Sequence, residues 1–174
     1  MIINKRITSD YSRDKLELVT GVVIHDTDNL RRGTGAKWHA DYLFTDYAKE
    51  RQASWHYSVD DKEIWQSVPE NIVAWHAGRV ANYSTIGIEI CVNSDSDLFQ
   101  ATENTAELTA DILIRHNLPA TGHVFRHQDF MAKDCPKQLN AGKPYSWDRF
   151  LQRVEDYYNS KLKLEEIKNI ARGL

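Results

Sequence analysis

The chain has 174 residues, enough to bury a core within a single domain. Its 41% hydrophobic and 27% charged residues match an ordinary globular protein, and no apolar run approaches the length that spans a bilayer. A formal net charge of −3 gives no basic excess of the kind nucleic-acid binding needs.

The opening stretch "MIINKRITSDYSRD" has no long apolar segment behind its basic residues, so it does not read as a secretory signal. The chain is therefore expected to be made and folded in a cytoplasm, whatever compartment it works in. "VTGVVIHDTDN" predicts a buried strand from Gly21 to His25 that ends in a polar turn. From Gly35 to about Lys49 the pattern predicts a helix, with Ala36, Ala40, Leu43 and Tyr47 on one face. "SWHYSVDDKEIWQSV" predicts two strands joined at Asp60-Asp61. In "STIGIEICV" alternation puts Ile86, Ile88 and Ile90 on one side and Gly87, Glu89 and Cys91 on the other. "SDSDLFQ" reads as a loop.

A second helix is expected from about Thr102 to His116, with Ala106, Ala110, Leu113 and Ile114 inward. "TGHVF" predicts a further strand. Ser146 caps a third helix that buries Trp147, Phe150, Leu151 and Val154. After about Ser160 the sequence "KLKLEEIKNIARGL" becomes charged, with Leu164, Ile167 and Ala171 at helical spacing. It is either a final helix or the start of a linker. The expected organisation is thus one α/β domain over residues 1–160, a central mixed sheet flanked by helices, followed by 161–174.

Chemistry concentrates in a few residues. His25 closes a buried strand, a place where a rigid scaffold presents side chains to a cleft. "HQDFMAKDCP" sets His127 eight residues before Cys135, with Lys133 between them. Three readings compete there: a Cys91–Cys135 disulfide, a thiol nucleophile with a histidine base, or a zinc site. The reducing compartment expected from the absent signal disfavours the first. Zinc prefers Cys and His, and a catalytic site needs three protein ligands; His25, His127 and Cys135 supply three. Glu89 lies among isoleucines, so its carboxylate must be paired or face a polar cleft, where it can serve a metal site as general base. Trp75-His76-Ala77-Gly78 offers an aromatic wall and room for a ligand. His39 is placed on a helix surface, His56 in the sheet and His116 at a helix end. His123 competes with His127 as a ligand. Cys91 reads as a small buried residue.

With these residues in view, five ordered motifs stand out: "VVIHDTDN", "ASWHYSVDDKEIWQSVP", "AWHAG", "STIGIEIC" and "HQDFMAKDCP". Together they resemble the zinc-dependent N-acetylmuramoyl-L-alanine amidases of the peptidoglycan-recognition type, especially endolysin catalytic domains, over roughly Leu18 to Tyr157. The resemblance implies the fold of that family and Zn²⁺ on His25, His127 and Cys135. It implies Glu89 as the catalytic carboxylate, Lys133 beside the developing oxyanion, and Trp75, His76 and Gly78 in the substrate groove. Some members carry a catalytic tyrosine where this chain has Trp55, so Trp55 is assigned to substrate contact and the proton work to Glu89. The implied partner is bacterial peptidoglycan, with no nucleic acid, no membrane insertion, and a cell-wall-binding domain as a possible C-terminal companion. Without a signal, the chain reaches the wall through lysis machinery or another export route. The rival readings are a non-catalytic muropeptide-binding module, a polymerase-binding regulator and a thiol-dependent peptidase.

Overall fold

The computed structural model describes residues 1–8 and 14–173. Six strands form one mixed sheet: β1 (Ile3–Lys5), β2 (Gly21–Asp26), β3 (Tyr57–Val59), β4 (Ile64–Gln66), β5 (Thr85–Ile90) and β6 (Val124–Arg126), in the spatial order β1-β4-β3-β5-β2-β6. β3, β5, β2 and β6 run parallel to one another, and the β3–β4 hairpin supplies the antiparallel step. The helices are α1 (Ala36–Tyr42), α2 (Asp46–Glu50), α3 (Gly78–Asn82), α4 (Leu98–Arg115), α5 (Lys137–Asn140) and α6 (Trp147–Ala171).

The central strands read as near-continuous β-branched runs because both faces are covered. On one face Val22, Ile24, Ile86, Ile88, Ile90, Tyr57 and Val59 meet Ala106, Ala110, Ile112 and Leu113 of α4, forming the main core. α6 lies outside α4, against which it buries Phe150 and Val154. Glu103 ties the two helices together. Its carboxylate accepts from Arg153 Nη2 (2.6 Å), Tyr145 Oη (2.8 Å) and Tyr157 Oη (2.9 Å). The opposite face carries the polar residues of the strands and is partly roofed by α1 and α3.

The hairpin at Asp60-Asp61, the "STIGIEICV" strand and the Ser146 cap are as the sequence predicts. Asp60 explains the hairpin's rigidity. This buried carboxylate accepts from Lys62 N and Glu63 N inside the turn, and from Ala36 N at the start of α1. It therefore fixes the turn and caps a helix whose own N-cap residue, Gly35, has no side chain.

Three expectations need correction. The helix foreseen over 35–49 is two, because the Thr45 hydroxyl accepts from Ala48 N and starts α2 afresh. The break turns Tyr47 outward, where it is 58% exposed, while Ala36, Ala40 and Leu43 are buried. In α4, Ile112 rather than Ile114 is fully buried, and in α6 Trp147 and Leu151 are only partly covered. Of the two readings left open after Ser160, the helix is the one observed: α6 continues to Ala171, with Leu164 and Ile167 about half exposed.

Candidate active site

The polar face of the sheet builds the site. His25 on β2 and Glu89 on β5 are register partners, and Glu89 is in turn opposite Ser58 on β3. Adjacent strands lie about 4.8 Å apart, so backbone hydrogen bonding alone sets His25 and Glu89 side by side, pointing the same way. After β6 the chain enters a 3-10 turn over His127–Asp129. The following loop closes on itself: Gln128 N donates to Cys135 O (3.1 Å), and Asn140 Nδ2 donates to Gln128 Oε1 and Asp134 Oδ1. That closure brings Cys135 next to His127.

His25 Nδ1 and His127 Nδ1 are 3.1 Å apart, Cys135 Sγ is 3.9 Å from His25 Nδ1, and one donor atom from each of the three lies within 4.8 Å of the others. Tetrahedral zinc ligands at about 2.0–2.1 Å for nitrogen and about 2.3 Å for sulfur are separated by roughly 3.3–3.6 Å. The spacings bracket that range. His25 Nε2 lies 3.0 Å from His76 Nδ1. With His25 donating there, its Nδ1 lone pair points at His127 and Cys135, the tautomer a metal ligand needs. Two facing ring nitrogens and a thiol are poor company for one another without a cation, and the donor set fits a metal ion.

Electrostatics agree with the geometry. Burial, with His76, His127 and Lys133 nearby, holds His25 well below the usual imidazole range. Burial and Lys133 hold His127 at about 4. Both shifts favour the neutral ring, the form that can ligate a metal. Burial, reinforced by Glu89, pushes the Cys135 thiol up to about 12, the reverse of what an activated nucleophile requires. Burial and the Asp26 carboxylate push Glu89 up to about 8, with Lys133 opposing. Glu89 Oε2 is buried without a hydrogen-bond partner among the described residues.

These groups floor a cleft of about 360 Å³ that also includes Trp55, Trp75, His76 and Lys133. A second cleft shares Trp75, His76, His127 and Lys133 with it and is lined further by Gln52, Gly78 and Met131. Each residue that the resemblance assigns to metal, catalysis or substrate thus borders one cleft or both. Trp55 is mostly buried, with its indole N–H held by Ser58 Oγ at 2.7 Å. Gly78 has φ +80 and passes under Met131. His123 bonds Thr20 O away from the cluster, and both cysteines are free thiols.

His39 is not on a helix surface. It is 6% exposed and lines the first cleft, because α1 packs on β3 and β4 and turns Ala36, His39 and Ala40 inward. Spacings of three from Ala36 and four from Leu43 carried that signal. Two supporting residues went unnoticed. Gly87 leaves the space that His76 fills: a Cβ there would lie 2.7 Å from the imidazole. A glycine within a β-branched strand is the sequence sign of such an approach. Asn82 Oδ1 accepts from His76 N and Ala77 N, fixing the loop that carries Trp75 and His76. Nothing local in the sequence marks it.

The N-acetylmuramoyl-L-alanine amidase family profile matches residues 15–138. The chain belongs to that family. N-acetylmuramoyl-L-alanine amidase XlyA of Bacillus subtilis is 37% identical over 132 residues, covering 74% of this chain and 42% of the relative. N-acetylmuramoyl-L-alanine amidase CwlH of the same organism is 34% identical, covering 76% and 52%. The chain thus spans about half the length of the curated relatives it matches. Among solved structures, the catalytic domain of XlyA superposes with a TM-score of 0.79 at 31% identity, covering 88% of this chain and 99% of that one. The amidase-family fold expected from the motifs is therefore the observed fold. No helix among the described residues is long and apolar enough to cross a membrane.

Proposed function

We propose that the chain hydrolyses the amide bond between N-acetylmuramic acid and the L-alanine of the stem peptide in bacterial peptidoglycan, with zinc as its metal. The observation that carries this reading is the convergence of His25, His127 and Cys135 beside a cleft-facing Glu89. The XlyA and CwlH names point to the same bond.

His25, His127 and Cys135 would hold the ion, Cys135 giving up its proton on binding. When bound, zinc acts as a Lewis acid and lowers the pKa of a water towards about 7. Glu89, whose raised carboxyl a neighbouring bound cation would return to the ionised form, would take the proton of the attacking water and pass it to the departing L-alanine nitrogen. Lys133, at the rim of both clefts, faces the charge that develops on the carbonyl oxygen. His76 holds the ring of His25 from behind, and Trp55 and Trp75 wall the groove. The raised thiol of Cys135 argues against a thiol-dependent peptidase. The retained cysteine and the Glu89 carboxylate favour an enzyme over a muropeptide-binding module.

The test is turbidity loss of purified walls together with assay of new N-terminal L-alanine in the soluble fraction, with chelator and with zinc restored. New L-alanine that vanishes on chelation and returns with zinc is the expected result. No cleavage of several wall types by zinc-loaded protein would shift the reading to the binding module. Reducing sugar, or another amino terminus, would mean a different bond.

A further inference from the structure

The loop between α2 and β3 supplies one residue to each arm of the groove: Arg51 lines the first cleft and Gln52 the second. Gln52 sits in the left-handed region at φ +48. Arg51 is oriented rather than loose. Its Nη1 donates to Tyr47 Oη at 3.1 Å and its guanidinium lies 5.7 Å from the Tyr47 ring centroid. It nevertheless has no carboxylate partner among the described residues; its contacts are with tyrosines alone. Two exposed acids line the same cleft and both are engaged elsewhere, Asp28 by Lys137 at 3.2 Å and Asp134 by Asn140 Nδ2 at 2.7 Å. Among the described residues Arg51 and Lys133 are the cations lining the first cleft, and Lys133 borders the proposed metal-ligating cluster. A guanidinium held by Tyr47 and without a carboxylate partner among the described residues stands beside an aromatic wall of Trp38, Tyr42 and Trp55, on a cleft whose carboxylates are Asp26, Asp28, Glu89 and Asp134; it is a group there able to pair with an anionic ligand atom.

We infer that Arg51 determines specificity by pairing with a free carboxylate of the stem peptide, so that the protein prefers acid over amidated stems. The inference rests on the amidase reading. Stem peptides carry carboxylates that are free in some walls and amidated in others, and the planar fork of Arg matches a carboxylate in two bonds.

The experiment compares zinc-loaded wild type, Arg51→Gln and Arg51→Lys on two muropeptides that differ only in whether the carboxylate of the second stem residue is free or amidated. It reads the ratio of kcat/KM for acid over amide. In parallel, quenching of the cleft tryptophans gives Kd for each ligand. Wild type should favour the acid by about tenfold, a typical charge-assisted contact at a partly solvated site. The preference should sit in KM and shrink in high salt. Arg51→Gln should bring the ratio near one, and Arg51→Lys should restore part of it. A wild-type ratio near one, or a ratio retained in Arg51→Gln, overturns the inference. If neither muropeptide is cleaved the amidase reading fails, and the Kd ratio still decides for or against Arg51.

Discussion

Two side chains carry most of the proposed chemistry, and they separate experimentally. Glu89→Gln keeps shape and loses the proton acceptor. Hydrolysis should fall about 100- to 10,000-fold while elemental analysis still finds one zinc per chain. Cys135→Ser removes the soft ligand, so zinc content and activity should be lost together. A Glu89→Gln protein with full activity would remove Glu89 from the mechanism. His56 makes a different prediction. Its Nδ1 accepts from Gly87 N and its Nε2 donates to Ile72 O, and burial holds it at about 4. A histidine neutral in the fold takes up its proton only on unfolding between its usual value and about 4. Stability from His56 is therefore complete above about pH 6.5 and lost as pH falls towards 4, by on the order of 3 kcal/mol at most. Urea midpoints across that window, with NMR titration of the His56 ring, check both the sign and the range.

Among the elements, the most buried polar tie between α4 and α6 is one carboxylate. Burial works against the ionised form of Glu103, yet Arg153, Tyr145 and Tyr157 together hold it below the usual carboxylate range. Its contribution is present above about pH 4.5 and fades as the pH drops below. Glu103→Ala strands Arg153 and two hydroxyls, and should cost about 2–3 kcal/mol in urea unfolding, less than a fully buried pair because Arg153 stays partly solvated. This is also where sequence reading reached its limit. Periodicity located α4, α6 and β5, since their apolar faces repeat at 3.6 or 2. It ran α1 and α2 together, because Thr45 interrupts the backbone without breaking the pattern. Glu103, Asp60 and Asn82 look like solvated polar residues until the elements that surround them are brought together. The proposed metal ligands were legible only as types: His25 and Cys135 are 110 residues apart, and it took ordered motifs to join them.

For the whole molecule, the body of the fold ends before the chain does. Lys161 bridges Glu107 and Asp111, but beyond it α6 exposes Leu164, Ile167 and Ile170. Removing residues 163–174 should shift Tm by less than about 2 °C and leave zinc content unchanged, supporting a working unit that closes near residue 160. A larger loss would mean that the exposed turns of α6 support the body.

Gly87 imposes a rule on mutational tolerance. Its contribution is the volume it leaves to His76, and through His76 to the ring of His25. A library randomised at position 87 and selected for wall lysis should return glycine alone, since even alanine would drive the imidazole off its place. Ile86 and Ile88, its fully buried neighbours, should accept other β-branched residues. The position with the least chemistry of its own would then be among the hardest in the strand to replace.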